Sequence, residues 1–309
     1  MYSDNHLLIF NKPAGWHSIP RDEQDESYYK QDDSKCLLSF AQRKKWGAGS
    51  NNDFLLPIHR IDQPCTGVLL FGKTTKAASR ITTLWKDKGV VKDYLCVISS
   101  NRLPGLIQAS SHCSDMQHGA ESDHAIVYEH HNSISEYDDW YFLNGVMQAS
   151  PVRRSRSVRI FPDLSRTSSP SLTSSVPAGR PVHIYWKHVD LENGRSQNQN
   201  KHSLIRVQTT LGARHMVRAL LAQIGDCPIV GDVRYHPSYS APILPDQSVA
   251  LHAYRVSLDP TLKLGSLDTF VFEAPIPSTW DTYFGIQNSD LIIPYGGKGN
   301  NEGHSAGMN

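Results

Sequence analysis

Short apolar runs of strand length recur along this chain, set apart by Gly- and Pro-bearing turns. Residues 6–10 read as a strand, and Asn11-Lys12-Pro13-Ala14-Gly15 follows as a turn. Residues 21–35 are acidic and polar and read as a loop; residues 36–46 fit a short helix. Two apolar runs, 54–58 and 68–71, flank a segment with Pro64 and Gly67, which predicts strand, loop, strand. Asp62 lies at the start of that loop, a place where a side chain is held by scaffold yet open to a ligand. Thr74 suits the cap of a helix whose apolar positions Ala77, Ala78, Ile81 and Leu84 repeat at helical spacing, with Gly89 ending it. Residues 90–98 predict a strand with Lys92, Tyr94 and Cys96 on one face and Leu95 and Val97 on the other.

The second half repeats this grammar more loosely. Residues 182–186 predict a strand. Across 204–225, Leu204, Arg206 and Gln208 alternate with Ile205, Val207 and Thr209. Gly212 supplies a turn, and Val217, Leu220, Leu221 and Ile224 form the apolar stripe of a helix closed by Gly225. Residues 100–139 read as a polar surface insertion. Residues 150–181 open with Arg153, Arg154, Arg156 and Arg159 and continue as a Ser/Thr/Pro-rich flexible loop. The arginines fit a solvated edge strand or a phosphate-binding stripe equally well. Periodicity is lost past Pro277, residues 295–309 read as disordered, and no internal repeat is visible.

Composition narrows the class. At 309 residues the chain can bury a sizeable core without disulfides or metals. Five scattered cysteines, an odd number, favour free thiols in a reducing compartment. His112, Cys113, His118, His130 and His131 match no zinc spacing, so no metal is expected. A hydrophobic fraction of 39%, with no apolar run near the roughly 20 residues of a membrane span, predicts a soluble protein with no membrane partner. The N-terminus carries no signal-peptide pattern; a cytoplasmic location is expected, with an organellar one left open. A net charge of +1 neither supports nor excludes a polyanionic partner, because only the charge of the binding face matters.

Three segments carry polar groups suited to one site: Asp62 with His59 and Arg60; Tyr94 with Lys92; and Arg214, His215 and Arg218, read as the first turn of a helix. Arg214 and Arg218 are four apart and so are expected on one helix face. Each group alone also fits a turn carboxylate, a packed tyrosine or a solvated helix cation. No Gly-x-Ser-x-Gly, Walker loop or dinucleotide fingerprint points elsewhere.

Taken in order, these segments resemble the RluA-type pseudouridine synthases, which isomerise uridine to pseudouridine in RNA. The resemblance rests on Asn11-Lys12-Pro13-Ala14-Gly15, then His59-Arg60-Ile61-Asp62 with Cys65-Thr66-Gly67 and Lys73. Lys92-Asp93-Tyr94 comes next, then Gly212-Ala213-Arg214-His215-Met216-Val217-Arg218, Pro228-Ile229-Val230-Gly231-Asp232 and Leu251-His252-Ala253. It implies an α+β pseudouridine synthase fold: a mixed, mostly antiparallel central sheet with flanking helices and a central active-site cleft. It implies a catalytic domain over residues 1–285 with the two polar insertions, a C-terminal tail over 286–309, and no S4-like RNA-binding domain at the N-terminus.

The resemblance further implies Asp62 as nucleophile, Tyr94 against the target base, and Arg218 as a bidentate-capable cation keeping Asp62 ionised. His59, Arg60, Lys12, Lys73, Lys92, Arg214, His215, Arg153 and Arg154 are then expected to contact RNA. No cofactor is expected, the partner is a structured ribosomal or transfer RNA, and the chain acts as a monomer. Three positions depart from the family pattern: Ala213 for Arg, Met216 for Gln and Cys65 for Thr. Arg214 is a candidate substitute for the missing guanidinium, although one residue turns a helical side chain by about 100°. The departures keep an alternative open, a catalytically weak or inactive RNA-binding or RNA-folding protein on the same scaffold.

Overall fold

The computed structural model describes residues 2–20, 35–49, 53–115, 139–149, 157–163, 179–191, 201–236, 244–262 and 270–291. The predicted arginines Arg153 and Arg154, the Ser/Thr/Pro-rich run and the tail beyond residue 291 lie outside these residues. Among the described residues, twelve strands form one mixed sheet. They are β1 (Tyr2–Ser3), β2 (Leu7–Lys12), β3 (Leu56–Pro57), β4 (Thr66–Gly72), β5 (Val90–Ser99), β6 (Ser111–His112), β7 (Tyr141–Ala149), β8 (Val158–Phe161), β9 (Arg180–His188), β10 (His202–Thr209), β11 (Leu251–Leu258) and β12 (Val271–Glu273). The main path runs β1-β2-β4-β11-β5-β10-β9-β7-β6. The strand pairings among the described residues are antiparallel except β4 with β11. Five α-helices accompany the sheet among the described residues: α1 (Leu37–Arg43), α2 (Thr75–Lys86), α3 (Leu103–Gln108), α4 (Met216–Gln223) and α5 (Thr279–Phe284). None is long and apolar enough to cross a membrane.

The local reasons are legible. Thr74 caps α2 by accepting the Ala77 N–H at 3.1 Å, as its position predicted. At the end of the helix Lys88 takes the left-handed conformation, and Gly89 follows it with its N–H bonded to Leu84 O at 2.9 Å. Both faces of β2 and β4 are covered. Ala77 and Ile81 of α2 pack with Leu7, Ile9, Val68 and Leu70, while Leu37 and Ala41 of α1 pack with Leu8, Phe10, Leu69 and Phe71. Helices therefore lie on both sides of this part of the sheet.

The largest core joins β5, β9 and β10 to α4. It also takes in Leu106 of α3, so the first part of the expected polar insertion contributes core. Trp280 of α5 is buried too, in a stretch whose six-residue helix is too short to show a period.

Strand β5 lies at the middle, paired to β10 on one side and β11 on the other. Its alternation separates two polar groups. Asp93, on the face away from Tyr94, is buried against Arg206 (2.6 Å). The parallel β4–β11 contact needs Gly67: its φ is +119° and a Cβ would collide with the Ala253 backbone. That approach brings β11 beside the segment that carries Asp62. His252 then staples the region. Its Nδ1 accepts from the Thr66 hydroxyl at 2.8 Å, and its Nε2–H donates to the Ala274 carbonyl at 3.0 Å.

Burial pushes the pKa of His252 down to about 4, while its bond to Ala274 works the other way. The unfolded chain takes up this proton near pH 6.5 and the folded chain only near pH 4. The stability His252 contributes is thus complete above the unfolded value and is lost as pH falls through the folded one. We expect a loss on the order of 3 kcal/mol from this residue between those limits. His252→Gln, which cannot titrate, should show a correspondingly smaller fall in urea-unfolding free energy between pH 7 and pH 4; an unchanged fall would refute the assignment.

Candidate active site

Asp62, Tyr94 and Arg218 come from a loop, a strand and a helix, and the fold brings them together. The Asp62 loop is fixed from beneath by the turn after β2. Lys12 is fully buried, and its Nζ donates to the carbonyls of Pro13 (2.9 Å), Trp16 (2.9 Å) and Gln63 (3.1 Å). The Gly15 N–H donates to Gln63 O at 2.9 Å, and the Gln63 side chain returns a bond to Gly15 O at 3.2 Å. Ser18 closes the clamp: its hydroxyl donates to Ile61 O at 2.9 Å and accepts the Ile61 N–H at 3.0 Å. The loop turns on the Cys65 N–H bond to Asp62 O (3.0 Å), and Val249 N–H holds Pro64 O at 3.0 Å.

Arg218 sits in the first turn of α4, where the helix dipole disfavours a cation, so carboxylates must hold it. They do so from two directions. Its Nε and Nη2 donate to Asp232 Oδ2 (2.7 Å) and Oδ1 (2.8 Å), a bidentate pair, and its Nη1 donates to Asp62 Oδ2 at 2.8 Å. Asp232 takes the fork of this guanidinium, and Asp62 receives the remaining arm. The side chains of Arg218 and Asp232 are 4% and 0% exposed, but that of Asp62 is 24% exposed, so the carboxylate that faces solvent is the one in the loop. Burial works against the charge of Arg218, but the Asp232 hydrogen bond and the neighbouring negative charges outweigh it and push its pKa up.

Tyr94 is half-buried on β5. Burial first, and then the charge of Asp62, push its phenol pKa up, which keeps the hydroxyl protonated. Cys65, buried close to the ion pair, is likewise pushed up to about 12 by burial and stays a neutral thiol.

His215 precedes α4 in a left-handed conformation (φ 56°, ψ 14°). Its Nε2 stands 3.6 Å from Asp62 Oδ1, and its Nδ1 is 2.8 Å from the Tyr235 hydroxyl. It therefore belongs to the site interior, beside Asp62. The same backbone conformation breaks the helical phase: Arg214 lies outside α4, is exposed, and shares no helix face with Arg218. Arg60 is exposed beside Asp62.

Three of the residues expected at RNA are engaged inside the protein. Lys12 binds carbonyls and cannot reach a phosphate; burial lowers its pKa to about 8, and the charge of Asp62 helps to hold it up. Lys92 is 4% exposed, donates to the Thr210 and Leu211 carbonyls, and lies 4.9 Å from the Trp85 ring centroid. It anchors the turn leading into α4. His59 stacks on Trp85 (4.8 Å, 27°) and accepts the Leu70 N–H at Nε2; burial, then Lys92, push its pKa down to about 3, which makes it a neutral packing group. Lys73 lies at the opposite end of β4 from the Asp62 loop, roughly 20 Å away at strand rise, and donates to Ser3 Oγ at 3.3 Å.

Sequence reasoning missed Asp232, Tyr235 and Ser18 as parts of the site. The acid of the Pro-Ile-Val-Gly-Asp segment was the available signal for Asp232; Ser18 and Tyr235 had none. Among the described residues no group of His, Cys, Asp or Glu is arranged to hold a metal.

The sequence profile described as RNA pseudouridylate synthase matches residues 6–223. The chain is 30% identical over 100 residues to the tRNA pseudouridine synthase C of Pasteurella multocida, covering 32% of this chain and 35% of that one. It is 24% identical over 259 residues to the ribosomal large subunit pseudouridine synthase C of Rickettsia felis, covering 84% and 62%. It is also 24% identical over 262 residues to RNA pseudouridine synthase 5 of Arabidopsis thaliana, covering 81% and 58%. The chain thus spans less than two thirds of the length of these curated relatives. Its fold is similar to that of human RNA pseudouridylate synthase domain containing 4, with a TM-score of 0.55, 16% identity, and coverage of 90% of this chain and 88% of that one.

The unequal burial of the two carboxylates predicts unequal costs. Arg218→Ala leaves Asp232 buried without its cation and should cost ~3–5 kcal/mol in urea unfolding. Asp62→Asn removes one partly exposed arm of the pair and should cost about 1 kcal/mol. Equal costs would mean that Asp232 is not what holds the guanidinium.

Proposed function

The chain belongs to the RNA pseudouridylate synthase family, and on that premise we propose that it isomerises uridine to pseudouridine within RNA, with Asp62 as the nucleophile. The observation that carries the reading is a partly exposed carboxylate, held through one oxygen by a buried guanidinium, with Tyr94 electrostatically coupled to it from the central strand.

The reaction breaks the bond from ribose C1′ to N1 of uracil, makes a bond from C1′ to C5, and moves a proton from C5 to N1. No redox change or outside energy is involved. A carboxylate suits it because it can attack carbon and leave again. The detached base has to turn without escaping, so the site must confine it. The Tyr94 ring serves as the surface against which the base stacks, a contact of ~1–3 kcal/mol in other systems. Its hydroxyl, kept as a phenol, can pass on a proton during the rearrangement.

The target nucleotide must leave its stack to reach Asp62. Arg60, Arg180, Arg214 and Arg234 are exposed. Arg214 and Arg234 are close enough to His215 to act on its charge, and Arg180 donates to Gly212 O at 3.4 Å. We assign the contacts to flanking phosphates to this rim in place of the buried lysines. Met216 is 3% exposed within the core, so its departure from the family pattern bears on helix packing and leaves the ion pair intact. We take residues 1–285 as the catalytic unit.

Pseudouridine mapping of total cellular RNA, with the gene present and absent, tests the function and names the substrate together. Sites lost on deletion should stay lost when the gene is restored as Asp62→Asn, while RNA binding persists; restoration by that variant would favour the RNA-folding alternative. Tyr94→Phe separates the two roles of the tyrosine. Stacking survives, so RNA affinity should hold while turnover falls about 10²-fold; unaltered turnover would remove the proton-transfer role.

A further inference from the structure

The two oxygens of Asp62 have different surroundings. Oδ2 accepts the Arg218 Nη1–H at 2.8 Å. Oδ1 faces His215 Nε2 at 3.6 Å, beyond a normal hydrogen bond yet close enough to be oriented by it. His215 in turn spends nothing on the helix it precedes. It occupies the N-cap position in a left-handed conformation, which costs a non-glycine residue on the order of 1 kcal/mol, and its side chain makes no capping bond. Both ring nitrogens are turned elsewhere, one to Tyr235 and one to Asp62.

Tyr235 determines which nitrogen carries the proton. Its hydroxyl accepts the Val158 N–H at 3.1 Å and lies 2.8 Å from His215 Nδ1. A phenol has one hydrogen to give. Giving it to Nδ1 satisfies all three groups and leaves the imidazole proton on Nε2, aimed at Oδ1. Tyr235 is fixed in turn: its ring lies 5.5 Å from the Arg218 guanidinium and edge-on to His215 at 5.7 Å, and its backbone N–H donates to Asp232 Oδ1 at 3.3 Å. One short segment thus supplies Asp232 to Arg218 and Tyr235 to His215.

We infer that His215 and Tyr235 are positioning residues for the reaction proposed above, presenting a neutral Nε2–H to Asp62 so that Oδ1 is the oxygen that attacks. The inference rests on Asp62 being the nucleophile. Neutrality matters, because an imidazolium would pair tightly with Oδ1 and mask it. The groups facing the ring are Asp62, which favours the charged form, and Arg218, Arg234 and Arg214, which oppose it. Burial is the largest influence and acts with the arginines against Asp62, so the ring pKa falls to about 4.

The test uses the full chain. Long-range proton–nitrogen NMR reads imidazole tautomers, and the His215 signals are those lost in His215→Gln. We expect a neutral Nε2–H tautomer at pH 7 that titrates well below the usual histidine range. Tyr235→Phe keeps the ring against Arg218 but removes the hydroxyl. His215 should then mix tautomers and titrate higher, by about one pH unit. Single-turnover pseudouridine formation is measured in parallel on a pool of unmodified ribosomal and transfer RNA transcripts. For Tyr235→Phe we expect the rate, relative to wild type, to be about twofold lower at pH 5 than at pH 7, because a ring titrating near pH 5 is then about half imidazolium, with RNA affinity unchanged. His215→Gln, whose amide N–H can reach toward Oδ1, should retain more activity than His215→Ala. A merely structural role for Tyr235 predicts the same loss at every pH. An Nδ1–H tautomer or imidazolium at pH 7, or a Tyr235→Phe rate profile with no pH shift in an active enzyme, would overturn the inference alone. A wild-type protein that makes no pseudouridine, with the NMR pattern intact, would overturn the reaction itself and the role of Oδ1 with it.

Discussion

One buried guanidinium shared by two carboxylates is the constraint on which the rest depends. Taking a charge out of water is costly, and the cost is recovered only when geometry and hydrogen bonding are both complete. Arg218 achieves this through Asp232, which occupies two of its donors, and Asp62, which receives a third. A lysine could not do the same, because an ammonium is a point charge without a planar fork. The division of labour has a consequence for Asp62. Since Asp232 already fixes the guanidinium, Asp62 is held through one oxygen only, and its other oxygen stands 3.6 Å from His215 Nε2.

The geometry depends on three segments far apart in sequence, each tied to the sheet by backbone bonds. Val230 N–H donates to Val97 O at 3.0 Å and Ala250 N–H to Val230 O at 2.9 Å, which fixes the turn bearing Asp232 against β5 and the approach to β11. Gly231 makes that turn, with φ +82° and no room for a Cβ beside Ser248. Lys92 fastens the start of the α4 segment to β5, and Lys12 fastens the Asp62 loop to the turn after β2. Two lysines therefore act as internal ties. They remain useful there because a protonated amine carries three donors, and in Lys12 each finds a carbonyl.

What the sequence disclosed, and what it hid, follows from this. The helix over α2 and the strands β2, β4, β5 and β10 show in the pattern because apolar spacing or run length marks them. Strand β11 carries Leu251, His252, Ala253, Arg255, Val256 and Leu258, all buried, so both faces are covered and no alternation survives. Asp62, Tyr94 and Arg218 were legible because ordered motifs marked them. The carbonyl partners of Lys12 and Lys92 were hidden because a lysine in a polar motif looks the same whether it meets a phosphate or a carbonyl. Arg214 was misread because helical spacing was extended across His215, whose left-handed backbone resets the phase. Asp232, Tyr235 and Ser18 act through contacts that only the tertiary structure creates.

The departures from the family pattern can be weighed against the same network. Arg218 makes its bonds to Asp232 and Asp62 with no contribution from position 213, where Ala213 packs against the core. Arg214 does not replace a guanidinium there, since it is exposed and out of phase. Met216 points into apolar surroundings. Cys65 stays a neutral thiol beneath the ion pair, adding no charge to a balance that Arg218 and Lys12 already strike with two carboxylates. The parts that position the carboxylate are therefore closed among themselves. Variation at 213 and 216 changes what surrounds the pair without entering it, which is why the loss of two motif residues is compatible with an intact site.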